Sequence, residues 1–82
     1  MTEADIYAKN LLKTLQVEQD SVEGYDEKGN YFSLERDNDR WYIIVTHESG
    51  SKMYDGYAPC DVLSPEDAVK EAVYGSQAYM KD

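Results

Sequence analysis

The 82-residue sequence predicts an α+β fold, a two-layer sandwich ordered helix, three- or four-stranded antiparallel β-meander, helix. Three observations predict it. Apolar residues recur at helical spacing near both ends, and the period drops to two between them. Short turns rich in Gly, Asn, Asp and Ser separate the period-two runs, which favours pairing of sequential strands. A chain of this size buries roughly 63% of its unfolded surface, enough for one modest core, so residues 1–82 are expected to form a single domain.

The first helix is expected over about residues 3–16. Thr2 can cap it with Asp5 at the capping-box spacing, and Glu3 and Asp5 suit the positive end of the helix dipole. Ala4, Ala8, Leu11 and Leu15 make its apolar stripe, widened by Tyr7 and Leu12, with Lys9 and Lys13 outside. Asp26-Glu27-Lys28-Gly29-Asn30 then reads as a turn. From Tyr31 to Arg36 the chain alternates, with Phe32 and Leu34 on one face and Tyr31, Ser33 and Glu35 on the other. Asp37-Asn38-Asp39 is a second turn. Arg40 to His47 carries Trp41, Tyr42, Ile43, Ile44 and Val45, a central strand apolar on both faces. Either Trp41/Ile43/Val45 or Tyr42/Ile44 can meet the core. Glu48-Ser49-Gly50-Ser51 turns into a strand from Lys52 to Tyr57, with Met53 and Tyr57 on one face and Tyr54 on the other. Residues 21–25 offer a short first strand, against which Gly24 counts.

Ser64-Pro65-Glu66-Asp67 opens the second helix, expected over about residues 65–79: serine caps, and proline takes the first helical position. Leu63 and Ala68 hold hydrophobic-staple positions. Val69, Ala72, Val73, Ser76 and Met80 form a narrow stripe, while Gly75 weakens the second half by about 1 kcal/mol relative to alanine. Both helices are expected on one face of the sheet, leaving the other half exposed.

Several function classes are disfavoured. The longest apolar run, Trp41–Val45, has five residues against the roughly 20 that span a bilayer, so no membrane association is expected. No N-terminal stretch resembles a signal peptide, and the single Cys60 precludes an intrachain disulfide; a cytoplasmic location is expected. Cys60 and His47 are the only residues that could form a thiolate–imidazole pair, and no orienting Asn or Asp is recognisable. They also fall short of a four-ligand zinc site. Asp37-Asn38-Asp39 looks like the start of a calcium loop, but Arg40-Trp41-Tyr42 removes the glycine and later ligands. Gly50 and Gly56 lack the lysine and helix start of a phosphate loop. The expectation is a protein with no catalytic residue, metal or cofactor.

Charge and tyrosine are the informative features. There are 17 acids against 8 bases, a net charge of −9. Residues 18–39 hold eight of those acids and two bases, a net −6. On extended backbone, residues i and i+2 share a side about 6.8 Å apart. Glu18/Asp20 and Glu35/Asp37/Asp39 have that spacing, so the segment is expected to raise an outward acidic ridge. A row of carboxylates competes for the Lys and Arg side chains that hold phosphates. It can equally be a solvated face that aids solubility. Tyrosine occurs eight times and phenylalanine once. Tyrosine is enriched at interfaces, and it also lines the wet edges of small cores. The candidate partner-binding residues are Glu23, Asp26, Glu27, Glu35, Asp37 and Asp39 for charge, with Tyr31 and Tyr42 as aromatic anchors.

The element order is that of the double-stranded-RNA-binding fold. Where such domains carry phosphate-holding lysines, this chain has Ser64-Pro65-Glu66-Asp67, and its charge repels RNA, so direct nucleic-acid binding is not expected. In size and general plan the whole chain resembles the small acidic phage-encoded inhibitors, anti-CRISPR proteins among them. The nearest matching features are the acidic segment Glu18–Asp39 and the capped helix start at Ser64. That resemblance implies a stoichiometric, non-catalytic blocker of a basic surface on a nucleic-acid-handling protein. The alternative is an oligomerising structural or adaptor subunit, a homodimer for example, that buries Trp41, Tyr42 and Ile44 or pairs an unprotected edge strand.

Overall fold

The computed structural model describes residues 2–80. Its elements are α1 (Glu3–Leu11), β1 (Gln16–Val17), β2 (Ser21–Tyr25), β3 (Tyr31–Asp37), β4 (Arg40–Thr46), β5 (Lys52–Tyr57) and α2 (Pro65–Ser76). The α+β class and the antiparallel meander are as expected, but the sheet has five strands in the order β1-β2-β3-β4-β5, not three or four.

Both extra strands come from residues whose local pattern is poor. Residues 21–25 pair along their length with β3, Ser21 opposite Glu35 and Tyr25 opposite Tyr31. Gly24 does not break this strand. Its φ of +145° suits glycine, and a Cβ there would come within 2.9 Å of Leu15 Cδ2. The glycine is what lets Leu15 close over the strand. Gln16 and Val17 pair with Glu23 and Val22, which ends α1 five residues earlier than the expected position 16. The Thr14 hydroxyl donates to the Leu11 carbonyl at 3.0 Å. That carbonyl already accepts from the Thr14 and Leu15 amides, so the side chain competes with helix continuation.

The face question is settled by burial. Trp41, Ile43 and Val45 point inward with Val22, Phe32 and Leu34, and join Ala4, Ala8, Leu11 and Leu15 from the N-terminal side. Ala68, Val69, Ala72 and Val73 complete the same cluster. Tyr42 and Ile44 lie on the opposite face and are half-buried. α2 crosses β2 to β5, and α1 packs along α2, so both helices cover one side of the sheet. Trp41 Nε1 is, among the described residues, the buried side-chain donor left without a partner.

The helix starts match their caps. Asp5 N–H donates to Thr2 Oγ1 at 3.2 Å, completing the capping box, and Asp67 N–H donates to Ser64 Oγ at 3.1 Å. The expected end of α2 at 79 is too late. Gln77 adopts a left-handed φ of 58°, and Lys28 Nζ donates to the Ala78 carbonyl at 2.8 Å and to that of Met80. Met80 is therefore exposed and lies outside the inner stripe. Leu63 is also exposed, whereas Ala68, at the other staple position, is fully buried. In β5 a register shift makes Met53 an extra residue: Val45 pairs with Tyr54 while Thr46 pairs with Lys52. Met53 packs against the core, where strict alternation would have placed it with Tyr57.

Candidate partner-binding face

The helix-free side of the sheet is built by strand alternation. Register sets three rows across it. Tyr25, Tyr31, Thr46 and Lys52 form the first row; Gln16, Glu23, Ser33, Ile44 and Asp55 form the second. Ser21, Glu35, Tyr42 and Tyr57 form the third, with Asp37 and Arg40 paired beyond it at the β3–β4 end. Four carboxylates thus share the face with two cations.

The tyrosines and carboxylates on it are tied together. Tyr57 Oη donates to Asp37 Oδ2 at 2.7 Å, Tyr31 Oη to Glu23 Oε2 at 3.2 Å, and Tyr42 Oη to Asp55 Oδ1. The Tyr42 and Tyr57 rings meet edge to face at 4.9 Å, and Tyr25 and Tyr31 lie 5.1 Å apart. Each bond holds a hydroxyl in its neutral form. Bonds to Asp55 and Asp37 raise the Tyr42 and Tyr57 hydroxyls above the usual tyrosine range; Tyr31 is raised by partial burial first and by Glu23 second. A hydroxyl donor orients a carboxylate without cancelling its charge. Lys52 Nζ, 3.6 Å from Asp55, and Arg40, 5.1 Å over the Tyr57 ring, are the nearby cations.

Of the expected site residues, Glu23, Tyr31, Glu35, Asp37 and Tyr42 come together on this face. Asp26 does not. It is 8% exposed and turned toward the helices, its carboxylate accepting from Tyr7 Oη at 2.6 Å and from Asn30 N–H at 2.8 Å. Glu27 borders a recess between α1 and the β2–β3 turn, lined also by Tyr7, Asn10, Leu11 and Thr14. That end of the sheet lies the length of β3, about 20 Å, from Asp37. Asp39 leaves the line of Glu35 and Asp37 because the chain reverses at Asn38, where φ is 61°, and Asp37 pairs with Arg40. Asp20 sits in the β1–β2 bend, 3.9 Å from Arg36. The acids of 18–39 are thus divided among the bare face, the hairpin tips and the helix side, and no continuous ridge forms.

Asp55 and Tyr57 are the members that sequence reasoning missed. The period-two pattern of Lys52–Tyr57 puts them on one side, but their place beside Tyr42 follows only from the β4–β5 register. Trp41, expected as part of an aromatic docking patch, is in the core. His47 closes the β4–β5 turn through Ser51, whereas Cys60 follows the far end of β5. The six residues of β5 separate them by about 17–20 Å, which prevents a thiolate–imidazole pair. Among the described residues no three His, Cys, Asp or Glu side chains converge as metal ligands, and no helix is long and apolar enough to cross a membrane.

No family model, curated protein or solved structure matches the chain.

Proposed function

We propose that this chain is a non-catalytic binding protein. It applies the bare face of its sheet to a basic, nucleic-acid-binding surface of a partner protein and blocks it. One observation carries the reading: Glu23, Asp37 and Asp55 are each held by a tyrosine hydroxyl on a face whose other side is sealed by helices. Carboxylates fixed this way lose little further freedom on binding, so they can stand where phosphates would stand. The net charge of −9 speeds encounter with a cationic groove. Small acidic phage-encoded inhibitors, including anti-CRISPR proteins, are the class this mode of action fits.

The test is retention of basic proteins on the immobilised chain over a salt series, with the retained protein identified and challenged with duplex DNA and RNA. Glu35→Lys/Asp37→Lys alters the face; Glu48→Lys/Asp61→Lys changes net charge equally at exposed positions elsewhere. The first pair should weaken binding by about tenfold or more and flatten its salt dependence, while the second changes it less than about threefold. Equal losses from the two pairs, or a complex that nucleic acid does not displace, would overturn the proposal.

A further inference from the structure

At the β3–β4 end of the bare face lies an open depression of about 410 Å³, lined by Glu35, Arg36, Asp37, Tyr42 and Tyr57. We infer, resting on the binding reading above, that this depression receives an arginine side chain of the partner.

Its walls are aromatic. Tyr42 and Tyr57 stand edge to face at 4.9 Å, and each hydroxyl is anchored, one on Asp55 and the other on Asp37. Its acceptors are available. Glu35 lies directly opposite Tyr42 in register, is exposed, and its carboxylate has no hydrogen bond or ion pair among the described residues. Asp37 uses Oδ2 for Tyr57 and keeps Oδ1 free. Arg36, the cation on the rim, is engaged elsewhere: its Nε donates to the Asn38 carbonyl at 3.0 Å and its guanidinium approaches Asp20.

The ligand class follows from these groups. A free carboxylate beside fixed tyrosine rings suits a planar, forked cation better than a point charge, because a guanidinium can pair with two oxygens and stack on a ring together. The molecule already places one guanidinium over one of these rings, though without a carboxylate partner among the described residues. Arg40 lies 5.1 Å over the Tyr57 ring, with Nη2 donating to the Ala58 carbonyl at 3.2 Å, and leaves Glu35 unpaired. The unused acceptor and the aromatic walls together suit a second guanidinium.

The experiment is a chemical-shift titration of the full chain with tri-arginine and tri-lysine peptides. Tri-arginine should bind at least about fivefold more tightly, with shifts centred on Glu35, Tyr42 and Tyr57. Glu35→Gln, an exposed and near-isosteric change, should reduce its affinity to that of tri-lysine. Equal affinities for the two peptides, shifts centred elsewhere, or an unchanged Glu35→Gln titration would each overturn the inference. Loss of a retained partner in Glu35→Lys/Asp37→Lys without arginine preference would sink this receptor and leave the blocking role standing. Arginine seated here with no nucleic-acid-binding partner retained would do the reverse.

Discussion

Asp26 has the composition of a surface charge and the surroundings of a core residue. Its Oδ1 accepts from the Lys28 and Asn30 amides at 2.9 and 2.8 Å. Its Oδ2 accepts from Tyr7 Oη at 2.6 Å and Asn30 Nδ2 at 2.9 Å. One carboxylate thereby shapes the β2–β3 turn and fastens it to α1. Burial, and then the Asp26 bond, push the Tyr7 hydroxyl well above the usual tyrosine range, so Tyr7 remains a donor. Asp26→Ala leaves these donors without their acceptor and should cost about 2–4 kcal/mol in urea unfolding. Asp26→Asn keeps one carbonyl oxygen and should cost less. Neither change should weaken partner binding at temperatures where the fold persists; a selective loss of binding would return Asp26 to the interface. A turn containing Asp and Gly was legible in the sequence. That α1 delivers Tyr7 to that turn was not, because the pairing spans 19 residues.

At the scale of elements, helix starts were legible and helix ends were not. A cap is a local device: Thr2 with Asp5, and Ser64 with Pro65, act within one turn. The ends answer to distant groups, α1 yielding to β1–β2 pairing and α2 to Lys28. Gly75 shows the same dependence. Local propensity marks it as a weak point in α2, yet a Cβ there would lie 2.0 Å from Tyr54 Cε2. Tyr54, on β5, donates to Glu71 at 2.9 Å and so clamps α2 to the sheet edge. Burial, then Glu71, push its hydroxyl up to about 12. Because the folded value exceeds the unfolded one, this contribution is complete below about pH 10 and fades as pH rises through 12. Overpacking costs about 1–3 kcal/mol and helix propensity returns at most about 1. Gly75→Ala should therefore destabilise by about 1–2 kcal/mol, measured by denaturation. In a Tyr54→Ala background the same change should become neutral or stabilising; an unchanged penalty there would mean that the ring is not the obstacle.

Over the whole molecule, one-sided coverage of the sheet is the decisive property. With Trp41 in the core, the bare face keeps Tyr42 and Ile44 as half-buried members of a charged, hydroxyl-lined surface. Like-charged copies repel at −9, so sedimentation should give a monomer at low salt, where that repulsion is least screened. A salt-insensitive dimer would instead favour the oligomerising reading, with this face or the β5 edge buried between copies.

The α+β class, the turns and the helix starts were determined by sequence alone, since each depends on contacts within a few residues. The strand count, the inward face of β4 and the dispersal of the acids were decided only by tertiary structure. They follow from strand register and from which side of the sheet the helices seal, and both depend on contacts between residues far apart in the chain. Charge shows the difference most clearly: its amount is a property of composition, but its direction belongs to the fold. Alternation sends Glu35 and Asp37 outward together, a reversal at Asn38 carries Asp39 away from them, and helix packing turns Asp26 inward.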